Sequence, residues 1–285
     1  MYMTRDGGRT WRRIRLRGYD KFVMPAVEAS FSLVDGHELF ALVKAAGDTA
    51  SSFGTLLVSR DAGRHWRALP TPPHAGRISF ETPRRGWLSG RSPGRGLWRT
   101  VDGGRTWVLV EPGKPLGSPS PPKWRESGFR QTRWVDYTTP LIGPGGHGIL
   151  GMVESTGEGI EDEGPTMTMV WQTDDYGRSW HRRDRIDLPN TTGSLEAGQI
   201  FTRRGRSRSF LVHDPRDSAY TVVGPDGRPG PLRPSHGLPL FSGGLSFSDA
   251  RHGFAFPDFS NGFSLSFTED GGRTWTQVPV PRAPQ

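Results

Sequence analysis

Short apolar runs, cut at close intervals by turn residues, dominate the chain. Val27 to Leu33, Ile78-Ser79-Phe80, Trp134 to Tyr137, Gln199 to Phe201 and Leu245-Ser246-Phe247 each fit the length and alternation of a β-strand. A second set (Leu56-Leu57-Val58, Met169-Val170-Trp171, Phe263 to Phe267) leads into turns, and a third (Val108-Leu109-Val110, Thr276-Gln277-Val278) leads out of them. Arg13-Ile14-Arg15-Leu16-Arg17 alternates with period two, as an outermost strand whose outward charges discourage edge pairing. The pattern predicts an all-β protein.

The turns repeat. Thr4-Arg5-Asp6-Gly7-Gly8-Arg9-Thr10-Trp11 recurs as Ser59 to Trp66, Thr100 to Trp107, Thr173 to Trp180 and Thr268 to Trp275, sharing Ser/Thr-x-Asp-x-Gly-x-x-Trp. Asp6, Asp61, Asp102, Asp175 and Asp270 can each accept turn N–H groups. The glycine two positions on supplies a positive φ, and Trp11, Trp66, Trp107, Trp180 and Trp275 can fold back to close the hairpin. The aspartates stand 55, 41, 73 and 95 residues apart. With 41 as one unit, 95 is two units, the first carrying a degenerate hairpin at Tyr220 to Arg228. The 73 is one unit plus a Pro-rich insertion, 111–128, and an acidic insertion, 154–165.

These octets resemble Asp-box, or BNR, repeats, which occur in sialidases, xyloglucanase-type glycoside hydrolases, sortilin-like receptors and photosystem II assembly factors. In those families the motif sits on the outer hairpin of a β-propeller blade, away from the ligand face. The resemblance therefore implies a single propeller domain over residues 1–285, of about six four-stranded blades, with five or seven as alternatives. It identifies a fold without identifying an activity. The hairpin beginning at residue 4 has no inner pair of strands upstream, an unpaired half-blade that a closed ring would avoid. The expectation is a chain that begins at least 25 residues earlier, cytoplasmic as written and exported if the missing part carries a signal.

Composition sharpens this picture. Gly (39) and Pro (25) punctuate a core rich in aromatics, with 10 Trp and 15 Phe, and the absence of cysteine excludes disulfides, thiolate metal sites and a cysteine nucleophile. No run of 18 apolar residues offers a membrane span. The net charge of +8 arises from 33 Arg against four Lys, a bias that reads as coding composition rather than as a nucleic-acid surface. A monomer is expected.

Candidate chemistry is thin. The resemblance to sialidases implies an arginine triad, a Tyr–Glu nucleophile pair and an Asp acid/base, yet no Arg-Ile-Pro motif occurs. Tyr137 and Tyr220 are the tyrosines free to be a nucleophile, without an obvious Glu partner. Glu28, Arg133, Asp136 and Tyr137 are the inner-strand residues that would meet a ligand at the channel mouth. The acidic insertion lacks the EF-hand alternation and reads as a solvated loop, with an ion site or a contact for a basic partner as alternatives. Arg203 to Arg208 and Arg13 to Arg17 could dock an anionic partner. Gly143 to Gly148 reads as a turn rather than a nucleotide loop, and the histidines show no metal-ligand spacing.

The expected function is recognition of a protein or glycan on the channel face, without cofactor or metal. The alternatives are an exo-sialidase-type glycoside hydrolase and a scaffold for an anionic partner. Mapping the translation start tests the unpaired half-blade: initiation upstream of Met1 is expected, and initiation at Met1 would contradict it.

Overall fold

A computed structural model describes residues 2–3, 12–13, 26–34, 37–45, 53–90, 96–114, 133–156, 166–186, 196–201, 208–214, 219–224, 226–231, 233–237, 242–247, 251–257 and 265–278. Two compact units divide the chain, the first built mainly from residues 1–90 and 95–110 and the second from 111–280. Both are all-β among the described residues. None of their helices is long and apolar enough to cross a membrane.

The first unit opens with a two-stranded hairpin, β1 (Tyr2–Met3) paired with β2 (Arg12–Arg13). A four-stranded antiparallel meander follows, made of β3 (Ala26–Leu33), β4 (Leu39–Ala45), β5 (Thr55–Ser59) and β6 (Arg67–Ala68). A second comprises β7 (Arg77–Phe80), β8 (Gly86–Ser89), β9 (Leu97–Thr100) and β10 (Val108–Val110). Alternation along β4 buries both faces of the first meander. Phe40 and Leu42 join Leu56, Val58, Ile78, Phe80 and Leu88 on one side, while Ala41 and Val43 join Leu57 and Trp66 on the other. The Phe40 and Phe80 rings stack with centroids 3.6 Å apart, tying the two meanders together.

The first strands of these meanders are also joined by side chains. The Ser30 and Ser32 hydroxyls accept the Ile78 and Phe80 N–H groups, at 2.9 and 2.7 Å, so serines on β3 satisfy donors on the edge of β7. The intervening positions of β3, Ala29, Phe31 and Leu33, are left exposed.

In the second unit, β11 (Arg133–Tyr137) and β12 (Leu141–Ile142) both pair with β13 (Gly148–Thr156), which continues into β14 (Thr166–Thr173) and β15 (His181–Ile186). Thr138 bridges the break between β11 and β12. Its N–H donates to the Gly151 carbonyl and its hydroxyl accepts the Gly151 N–H, both at 2.9 Å. Glu154–Thr156, the start of the expected acidic insertion, continue β13, with Glu154 opposite Met167. The remainder of that insertion, 157–165, and residues 115–128 of the Pro-rich one lie outside the described residues.

The last eight strands form one sheet. A meander of β16 (Glu196–Phe201), β17 (Arg208–Asp214), β18 (Ala219–Val223) and β19 (Arg233–Pro234) is followed by another of β20 (Ser242–Phe247), β21 (Gly253–Pro257), β22 (Leu265–Thr268) and β23 (Thr276–Val278). Their first strands pair in parallel, Gln199 opposite Ser246 and Ile200 opposite Phe247. β16 and β20 run in the same direction, and their parallel pairing fuses the two meanders.

This corrects the expectation of about six blades: the described residues form four sheets of four or more strands and one two-stranded hairpin. The five first strands coincide with the five apolar runs named above. A Ser32→Ala substitution strands the Phe80 N–H and is expected to lower stability by about 1–3 kcal/mol, read as a shift of the urea midpoint. An unchanged midpoint would contradict the bridging role.

Candidate functional site

Four octets lie among the described residues, each joining the third strand of a meander to the fourth; Asp6 and Trp11 of the remaining octet lie outside them. One geometry recurs. The first-position hydroxyl accepts the N–H of the fifth-position glycine: Ser59 from Gly63, Thr100 from Gly104 and Thr173 from Gly177, each at 2.9 Å, and Thr268 from Gly272 at 3.0 Å. The same hydroxyl donates to Oδ1 of Asp61, Asp102, Asp175 or Asp270. That oxygen also accepts two backbone N–H groups, from Arg64 and His65, Arg105 and Thr106, Arg178 and Ser179, or Arg273 and Thr274. The other oxygen takes the seventh side chain: Thr106 and Thr274 hydroxyls at 2.6 Å, Ser179 at 2.7 Å, and His65 Nδ1 at 2.5 Å.

Each carboxylate is therefore fully engaged in holding its own turn. Burial pushes the Asp102, Asp175 and Asp270 carboxyls up, but the side-chain hydroxyls and backbone N–H groups of the turn outweigh it and hold each down at about 2. Asp61 is also held below the ordinary range, first by the His65 N–H and then by the His65 ring. In two of the four described octets the indole closes the turn, Trp66 Nε1 donating to the Gly63 carbonyl at 3.2 Å and Trp275 Nε1 to that of Gly272 at 3.1 Å.

One contact escaped the sequence pattern. The fourth-position N–H reaches back to the turn between the first two strands of its own meander: Ala62 to His37 O and Gly103 to Arg84 O at 2.8 Å, Gly271 to Arg251 O at 2.9 Å, and Tyr176 to Gly146 O at 3.0 Å. This requires positive φ at the fourth residue as well as the fifth, and Ala62 (56°) and Tyr176 (62°) are held there despite their side chains. The degenerate hairpin at Tyr220 to Arg228 keeps a shorter version, with Gly224 N–H on Arg228 O at 3.0 Å and Arg228 N–H on Asp226 Oδ1 at 3.2 Å.

The candidate ligand residues lie on other elements. Arg133, Asp136 and Tyr137 share β11, opposite Thr156, Val153 and Met152. Tyr220 sits on β18, opposite His213 and Arg233, two strands removed from the first strand of its meander. Glu28 is on β3 of the other unit, opposite Lys44. Of the basic clusters, Arg12–Arg13 form β2 and Arg208 begins β17, whereas residues 14–17 and 202–207 lie outside the described residues. Gly143 to His147 form a tight turn around a short 3-10 segment, Pro144–Gly146, with the Gly143 N–H on His147 O at 2.7 Å. Among the described residues no group of three His, Asp or Glu could hold a metal ion.

No family model and no curated protein matches the chain. Solved structures do. The α-L-arabinanase of Penicillium chrysogenum complexed with arabinobiose is 12% identical over 90% of this chain and 81% of that one, with a TM-score of 0.54. The α-L-arabinofuranosidase of Fusarium graminearum in complex with an iminosugar inhibitor is 12% identical over the same shares, with a TM-score of 0.53. YCF48 bound to D1 peptide is 16% identical over 93% of this chain and 82% of that one, with a TM-score of 0.43. The arabinanase and arabinofuranosidase structures establish a propeller-like arrangement of small antiparallel sheets.

Two predictions follow from the turn geometry. Because the folded pKa of about 2 lies below the ordinary 3.8 for three carboxylates, their contribution to stability is complete above about pH 4 and is lost as pH falls through about 2. Urea midpoints at pH 7, 4 and 3 should hold and then drop, and Asp102→Asn should flatten that drop. In the same turn, Gly104→Ala places a Cβ 2.8 Å from Leu56 Cδ2 at φ +82° and should cost about 1–3 kcal/mol by thermal melting, whereas in the preceding octet Ala62→Gly at φ 56° should be neutral or stabilising.

Proposed function

We propose that the chain is a non-catalytic member of the Asp-box, BNR-type propellers and that it binds a protein or glycan ligand along the first strands of its sheets. The observation that carries this reading is β3. Ser30 and Ser32 are spent on the neighbouring strand, while Phe31 and Leu33 remain 45% and 63% exposed at alternate positions. An apolar strip that the fold leaves uncovered, on a strand whose polar positions are already used, suits an extended apolar segment of a partner or the face of a sugar ring.

The spread of the candidate catalytic groups supports binding over turnover. Glu28 lies on β3, Asp136 and Tyr137 on β11 and Tyr220 on β18, and the octet carboxylates are engaged in their turns. A glycoside hydrolase is the second reading, favoured by the fold shared with the arabinanase and the arabinofuranosidase.

A peptide-library and glycan-array screen of the full chain separates these readings. Saturable binding that is abolished by Phe31→Asp with Leu33→Asp, at unchanged melting temperature, is the expected result. Turnover of fluorogenic sialosides or arabinosides that is lost on Tyr137→Phe or Asp136→Asn would overturn the proposal in favour of a hydrolase. Binding confined to polyanions, with a steep salt dependence, would favour the anionic-partner scaffold.

A further inference from the structure

The third described octet departs from its sisters. Its fourth residue is Tyr176, where two of the other described octets have glycine and one has alanine, and a bulky side chain at φ 62° is a strained choice. The surroundings are shaped to hold it. Gly146, at φ 88°, lies against the ring so closely that a Cβ there would fall 2.8 Å from Tyr176 Cδ2, so the turn opposite the tyrosine has been reduced to a glycine that accepts its N–H.

Polar groups gather around the same point. His147, the next residue after Gly146, places Nδ1 2.7 Å from Asp174 Oδ1, and the Gln172 amide donates to that oxygen at 3.5 Å. His147 and Asp174 side chains are nonetheless 71% and 56% exposed, and Asp174 Oδ2 makes no hydrogen bond among the described residues. Asp175, the octet carboxylate beside it, is by contrast consumed by its turn. The structure thus holds an outward carboxylate oriented by an imidazole and an amide, two residues along the chain from the partly exposed Tyr176, whose ring lies against the residue that precedes His147.

We propose that Tyr176, Asp174, His147 and Gln172 form a binding subsite for a neutral sugar ring, separate from the first-strand surface proposed above. A pyranose or furanose offers an apolar C–H face that stacks on an aromatic ring, and vicinal hydroxyls that donate to a carboxylate and exchange hydrogen bonds with imidazole and amide groups. The outward Oδ2 of Asp174 disfavours uronic and sialic acids by like-charge repulsion. Tyr176 is the bulkiest residue at this position among the described octets, where the others carry Ala62, Gly103 and Gly271.

The test uses the full chain and a panel of soluble tetraoses of glucose, xylose, mannose and arabinose, with trigalacturonate and a poly-arginine peptide as controls, measured by saturation-transfer NMR and calorimetry. At least one neutral tetraose should bind saturably. Tyr176→Gly should weaken it about tenfold or more while the melting temperature holds or rises, and Asp174→Ala should weaken it comparably. Absence of binding across the panel, binding indifferent to Tyr176→Gly, or preference for the poly-arginine peptide or trigalacturonate would each overturn the proposal. Because Phe31→Asp with Leu33→Asp leaves this subsite intact, that variant should retain tetraose binding whatever becomes of the first-strand ligand.

Discussion

A short-range constraint governs this protein: a hairpin that places two successive residues at positive φ leaves its N–H groups pointing inward, and something must accept them. The octet aspartate does so. Its two oxygens collect backbone N–H groups and hydroxyls within a single turn, and the first-position hydroxyl takes the remaining glycine N–H. The freed fourth-position N–H then fastens the opposite turn of the same meander, so one carboxylate fixes the shape of both hairpins at that end of a sheet. Sheets of only four short strands have little interior of their own. Such turns define their geometry before packing between sheets adds its share.

Packing then relies on alternation. Strand β4 buries Phe40 and Leu42 on one face and Ala41 and Val43 on the other, which is what a sheet packed on both sides demands. The contacts between neighbouring first strands take two forms. In the first unit serine hydroxyls on β3 reach the N–H groups of β7, and in the second β16 and β20 pair backbone to backbone. Both answer the same problem, the open edge of a first strand.

Much of this was legible in the residues. The octets announce their own turns because Asp, Gly and Trp are each required by a separate local interaction, and the apolar runs from Val27, Ile78, Trp134, Gln199 and Leu245 mark the first strands. Blade number was not legible, because spacing along the chain does not reveal whether two meanders fuse through parallel pairing. The stitch from Ala62, Gly103, Tyr176 and Gly271 was hidden for a related reason: a backbone donor leaves no side-chain signature. The Tyr176 cluster left a faint one, a tyrosine at a position where glycine is the residue of least strain, but its partners His147 and Asp174 are 27 residues apart and meet only in the fold. Candidate chemistry at Glu28, Arg133, Asp136, Tyr137 and Tyr220 could be named from residue type alone, whereas facing and separation depend on strand register.

If the octet turn is the element on which each sheet depends, its innermost donor should be released only when the whole sheet opens. Native-state hydrogen exchange of the Gly63, Gly104, Gly177 and Gly272 amides measures this directly. The account predicts that these four amides exchange as slowly as those of the central strands β4, β8, β13 and β21, with the same denaturant dependence. Exchange at the rate of an exposed loop, independent of denaturant, would contradict it.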